Sequence, residues 1–132
     1  MDALKPGLTG ISETRVTEGK TALHLGSGGL NVFATPAMLA LMEAAAVQAI
    51  DHLLSEGHSS VGIALDVKHV AATPLGHKVR AEATVTAIDG LRVYFTVRAW
   101  DEAELIGEGS HERFIIDLAR FEDRVAQKSN TT

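Results

Sequence analysis

The spacing of hydrophobic positions changes along the chain, and each change marks an element. Around Leu8 to Val16 and Thr21 to Leu25, two short extended segments are predicted, with Glu18-Gly19-Lys20 as the turn between them. Gly26-Ser27-Gly28-Gly29 then interrupts regular structure. Thr35-Pro36 predicts a helix start, because a threonine hydroxyl satisfies orphan N–H groups and proline is tolerated in the first turn. Nothing breaks that helix before Ser55, and Gly57 closes it. Between Ala37 and Ile50 only Glu43 and Gln48 are polar, which is too few for a surface helix, so other structure should wrap it.

After Gly57 the period falls to two. Val61, Ile63, Leu65 and Val67 share one face of a half-buried strand, with Asp66 and Lys68 on the other. Val79, Ala81, Ala83, Val85 and Ala87 alternate with polar residues in a second strand, and Asp89-Gly90 predicts a type I′ hairpin turn. Val93, Phe95, Val97 and Ala99 make a third. A fourth runs from about Leu105 to Ile116, with Gly107 and Gly109 as candidate bulge positions. Leu118, Phe121 and Val125 predict a short amphipathic helix capped by Asp117, and Gln127 to Thr132 read as a frayed tail. The expected architecture is one α+β domain over residues 1–132, an antiparallel sheet wrapped around one long central helix.

Composition narrows the function. A chain of 132 residues with 45% hydrophobic residues can bury one core but not two. The net charge of -5, with no basic patch, argues against nucleic acid and anionic membranes. The absence of cysteine excludes disulfides, thiolate zinc sites and cysteine nucleophiles. No basic-then-apolar leader and no membrane-length apolar run is visible, so a cytoplasmic location is expected. His24, His52, His58, His77 and His111 show no metal-ligand spacing, and no metal or cofactor is expected.

Glu43 is the sharpest chemical signal. Its neighbours Leu39, Val47 and Ile50 are apolar, so its carboxylate falls on a face expected to be buried, where it needs a partner or a function. The alternative is a face left open beside a loop, with Glu43 solvated. His69 continues the apolar parity of its strand, which directs it at the helix as a core residue or, beside an inward Glu43, as an acid–base group. Thr35 is explained as a helix cap. The glycine cluster lacks the lysine of a phosphate loop and reads as a flap. Arg113 stands before Phe114, Ile115 and Ile116, as an anion anchor or a surface salt bridge. Gly62 and His69 lie roughly 23 Å apart on an extended strand, too far to serve one small site within one chain. Thr35 and Glu43 are about 12 Å apart along a helix and about 80° apart around it, so they should not bond to each other.

The segments FATPAMLALMEAAAVQAI, VGIALDVKHVAATPLG and GEGSHERFIID together resemble the fluoroacetyl-CoA thioesterase-like family of hot-dog-fold proteins. The resemblance spans most of the chain. It implies a hot-dog homodimer with sites at the subunit interface, Thr35, Glu43 and His69 as the catalytic set, and Gly62 and Arg113 as substrate contacts. Phe33 is the ring nearest the glycine flap, where the family's fluoroacetyl-selective type carries bulky aromatics, and it is a further candidate substrate contact. The implied reaction is hydrolysis of an acyl-CoA thioester with a small acyl group, giving free acid and CoA. A non-catalytic acyl-CoA binding module and a hydratase or dehydratase acting on acyl thioesters are the alternatives.

Overall fold

The computed structural model describes residues 3–130. Strands β1 (Thr9–Arg15), β2 (His58–His69), β3 (Lys78–Asp89), β4 (Arg92–Trp100) and β5 (Leu105–Asp117) form one antiparallel sheet in the order β1-β3-β4-β5-β2. Helix α1 (Ala22–Leu25) is a single turn, α2 (Thr35–Ile50) packs on the sheet, and α3 (Leu118–Ser129) follows β5. The core lies between α2 and one face of the sheet. Met38, Leu41, Met42, Ala45, Ala46, Ala49 and Ile50 meet the alternating residues Val79, Ala81, Ala83 and Val85 of β3 and Val93, Phe95, Val97 and Ala99 of β4. Each large apolar side chain buried there contributes about 1.5–3 kcal/mol.

Helix and sheet approach most closely at Gly10. A Cβ at that position would lie 2.6 Å from the backbone nitrogen of Ala49 and closer still to the carbonyl oxygen of Ala45. Gln48, one of the two polar residues of the helix interior, accepts a hydrogen bond from the Ile11 N–H at 2.7 Å and so ties α2 to β1.

Several expectations are corrected by tertiary context. Thr21–Leu25 is not extended: Thr21 caps α1 by accepting from the His24 N–H, and Gly26, at φ 73°, closes it. Helix α2 stops at Ile50 rather than Ser55, and a 3₁₀ turn, Asp51–Leu53, follows. There the Asp51 carboxylate is drawn to Ser59 and Ser60 of β2. Ala34, not Thr35, is the capping residue, and Thr35 is already helical. Nor is α2 wrapped on all sides, since Ala40, Ala44 and Gln48 are exposed and Leu39, Glu43 and Val47 half-buried.

The strands also depart from simple alternation. A bulge between Gly62 and Ala64 switches the parity of β2, so that Ser60 and Gly62 face the core side before it and Leu65, Val67 and His69 after it. Ile63, expected inside, is 44% exposed. A similar shift between Val85 and Ala87 turns Ala87 out. Asp89 pairs with Arg92, so the hairpin loop is Gly90-Leu91; only Gly90 has positive φ, at 61°, which excludes a type I′ turn. The register with β2 runs unbroken through Gly107 and Gly109, whereas the irregularity against β4 falls beside Ile106. These glycines instead allow close approach, with Met38 Cε 2.7 Å from a Cβ at Gly107 and Val67 Cα 2.7 Å from one at Gly109. Asp117 does cap α3, accepting from Arg120 N–H at 3.1 Å. The helix extends through Gln127 to Ser129, where a frayed tail is expected; Thr131 and Thr132 lie outside the described residues. Among the described residues no helix is long and apolar enough to cross a membrane.

Replacing Gly10 by Ala should push β1 off α2 and cost roughly 1–3 kcal/mol or more, as overpacking against rigid backbone does. Gly19→Ala, with nothing within 4 Å of its Cβ, is the control and should stay within about 0.5 kcal/mol. Urea midpoints of the two variants check this, and equal midpoints would contradict it.

Candidate functional site

The first helical residue of α2 and the last residue of β2 meet. Because Ala34 occupies the capping position, the Thr35 side chain is free, and its Oγ1 lies 2.7 Å from Nδ1 of His69. The other ring nitrogen, Nε2, is buried without a hydrogen-bond partner. Burial lowers the His69 pKa and keeps its imidazole neutral near pH 7. A neutral ring whose Nδ1–H donates to Thr35 presents a bare lone pair at Nε2, which is what a general base needs; in the opposite tautomer, Thr35 donates and Nε2 carries the proton. The pair opens on a cavity of about 320 Å³, lined with them by Val32, Phe33, Val70 and Ala71. Phe33 is itself buried there, beside the loop that carries Gly26-Ser27-Gly28-Gly29. That loop is pinned by backbone bonds from Ala22 to Val32 and from Leu23 to Leu30.

Two turns along α2, Glu43 belongs to a different cluster. Its Oε2 lies 3.5 Å from Nη1 of Arg113, and its side chain is 38% exposed. The solvated and fully buried readings are both replaced by a half-buried carboxylate with one cationic partner. Arg113 is only 5% exposed, so it is no surface salt bridge. Its Nε donates to Ser60 Oγ at 2.8 Å and its Nη2 to the Ser60 carbonyl at 2.9 Å. Nη1 also lies 3.2 Å from Nε2 of His111. Ser60 Oγ in turn donates to Asp51 at 2.6 Å. Burial pulls the Arg113 pKa down, and the negative charges of Asp51 and Glu43 oppose it. Gly62 faces this cluster: a Cβ there would collide with Glu43 Oε2 and stand 3.1 Å from His111 Cε1. Only glycine admits the carboxylate at that spot.

The site residues expected from sequence therefore fall into two groups. Thr35, His69 and Phe33 surround the cavity, and Glu43, Gly62 and Arg113 form the second cluster. Among the described residues no hydrogen bond or ion pair joins Glu43 to His69 or to Thr35. Asp51, Ser60 and His111 are absent from the sequence-level candidates. The alternation of His111, Arg113 and Ile115 on one strand face was the available signal for His111, whereas only folding places Asp51 beside Ser60.

Strand order and the placement of the helix define a hot-dog-fold protein of the thioesterase type, and its site offers carboxylate, imidazole and hydroxyl groups in a chain with no cysteine. The model of the family described as fluoroacetyl-CoA-specific thioesterase matches residues 16–119, and the chain belongs to that family. Over 98 residues it is 43% identical to the fluoroacetyl-CoA thioesterase of Streptantibioticus cattleyicolor, covering 74% of this chain and 70% of that protein. A crystal structure of a mutant of the fluoroacetyl-CoA-specific thioesterase FlK superposes with a TM-score of 0.89 at 36% identity, covering 97% of this chain and 99% of that one. A thioesterase superfamily member from Thermus thermophilus gives 0.91 at 31% identity, covering 98% and 96%.

The lowered pKa values of His69 and His111 carry a sign for stability. The unfolded imidazoles titrate near 6.5, so below that pH the unfolded chain takes up protons before the folded one does. The stabilisation is complete above about pH 6.5 and is lost as pH falls through the lowered folded values. Urea midpoints should drop between pH 7.5 and pH 5, and a midpoint that holds or rises over that interval would contradict the burial of these rings.

Proposed function

We propose that the protein hydrolyses the thioester of a small acyl-CoA to the free acid and CoA, at composite sites formed between two copies of the chain. One observation supports this best. The Thr35–His69 pair opens on a cavity with both polar and apolar walls while Glu43 stands in a separate cluster of the same chain, so each half lacks what the other holds. The dimer has a ready seam. Strand β2 is a sheet edge, Ile63 on it is exposed, and the flank of α2 carrying Ala40 and Ala44, beside the half-buried Glu43, is uncovered. A second copy laid along this edge brings one protomer's Glu43 towards the other's Thr35 and His69, and covers apolar surface as it does so.

In the assembled site the acyl group lies in the cavity beside Val32, Phe33 and Val70, whose volume suits a short chain. Either Glu43 draws a proton from water as the water adds to the thioester carbonyl and expels the CoA thiolate, or Glu43 attacks the carbonyl itself and water, deprotonated by His69, then cleaves the resulting anhydride; in both routes His69 passes the water proton to the thiolate. Thr35 fixes the tilt of the imidazole. Arg113 acts by aiming Glu43: of its five N–H donors, four are already directed at Ser60, His111 and Glu43, which leaves little for a substrate phosphate. The short flap at Gly26-Ser27-Gly28-Gly29 presents no bulky side chain to the cavity, and acetyl and propionyl groups should be accepted alongside fluoroacetyl.

Thiol release from a panel of short acyl-CoAs is the direct test. Glu43→Gln should lower kcat by about 100-fold or more while the protein stays folded, since Asp51 remains as counter-charge for Arg113. Hydrolysis at the wild-type rate by folded Glu43→Gln protein would sink the assignment.

The composite site has its own test. Sedimentation should give twice the 14.0 kDa chain mass. Glu43→Gln and His69→Ala proteins, each inactive, should recover about a quarter of wild-type activity when co-refolded in equal amounts, because half of the dimers are mixed and each mixed dimer holds one intact site. No recovery from verified mixed dimers would place the whole site within one chain.

A further inference from the structure

The hydrogen-bond chemistry around His111 assigns it a state that no catalytic step requires. Its ring is 1% exposed and stacks on Phe95 of β4, with centroids 5.7 Å apart. Nδ1 lies 2.8 Å from the Ala64 carbonyl oxygen of β2, which can only accept, so Nδ1 carries a proton. Nε2 lies 3.2 Å from Nη1 of Arg113, which can only donate, so Nε2 is a bare lone pair. Only the neutral Nδ1–H tautomer satisfies both neighbours. The contact with Ala64 also ties down the strand immediately after the Gly62 bulge, which sets Gly62 against Glu43.

Arg113 is thereby held on three sides. Ser60, braced by Asp51, takes Nε and Nη2, and His111 takes one hydrogen of Nη1. The remaining direction of Nη1 is towards Glu43. We propose that His111, neutral and protonated at Nδ1, is a positioning residue that accepts from Arg113 so that the guanidinium aims at Glu43, and that protonation of His111 releases this arrangement. This rests on the assignment of Glu43 to the chemistry above. A proton on Nε2 would set cation against cation and remove the acceptor, so the guanidinium must turn away. The charged groups facing the ring are Arg113 and Glu112 of its own strand and Glu43 of α2; β4 offers Phe95 and β2 offers the Ala64 carbonyl, both uncharged. Burial first, and then Arg113, keeps the imidazole below its usual range against the opposing pull of the Ala64 bond and the two glutamates.

Two substitutions divide the ring's two contacts. His111→Gln can place its amide oxygen where Nε2 accepts from Arg113, while His111→Asn can reach Ala64 but not Arg113. With acetyl-CoA, His111→Gln should keep at least about a third of the wild-type kcat at pH 7.5, and its acid limb should shallow from a slope approaching two towards one, leaving His69 as the titrating base. His111→Asn should lose about tenfold or more in kcat with KM within about twofold. Wild-type kcat in His111→Asn, or an unchanged acid limb in active His111→Gln, overturns the proposal. Imidazole ¹⁵N NMR of the unmodified protein gives a readout independent of turnover: a Nδ1–H tautomer at pH 7 supports the assignment, and a Nε2–H tautomer or a charged ring overturns it. Intact hydrolysis in Glu43→Gln protein overturns both this and the functional reading, whereas a Glu43-dependent enzyme indifferent to His111→Asn overturns this alone.

Discussion

A buried guanidinium constrains everything near it. Removing Arg113 from water costs several kcal/mol unless its charge is balanced and its fork of donors is met. The chain answers with Asp51 and Glu43 as counter-charges and with Ser60 and His111 as acceptors. Each answer dictates a piece of backbone. Asp51 must leave the helical course after Ile50 to reach Ser59 and Ser60, and β2 must present Ser60 inward before its bulge reverses the parity. The glycine at position 62 is the last consequence, since a Cβ there would occupy the place of the Glu43 carboxylate.

That arrangement gives the two clusters opposite electrostatic characters. Glu43 sits beside a cation in a half-open setting. His69 sits where desolvation favours its neutral form. A carboxylate paired with a guanidinium and an imidazole kept neutral are complementary partners for splitting a thioester, one supplying electron density and the other carrying protons. Under the proposed composite site, their separation in a single chain leaves the reactive geometry to assembly along the sheet edge at β2 more than to local folding.

Much of this protein was legible from residue order alone. The two-residue period of β3 and β4, the long apolar helix, the Asp117 cap and the prominence of Glu43 and His69 follow from side-chain patterning, because period and burial are linked through local backbone geometry. The resemblance carried by three segments named the family that the comparisons then show. Only the tertiary structure decided the points where a distant contact overrides a local preference. Thr35 reads as a cap until Ala34 takes that position and His69 offers its hydroxyl a partner. Ile63 and Ala87 read as core until single-residue bulges turn them out, since one inserted residue reverses the face of all that follow. Asp51 and Ser60 carry no signal as individuals, and His111 only its place on the strand face it shares with Arg113 and Ile115, because what makes the three matter is a shared neighbour, Arg113, that lies 62, 53 and 2 residues away in the chain and becomes common to all of them only when β2 pairs with β5.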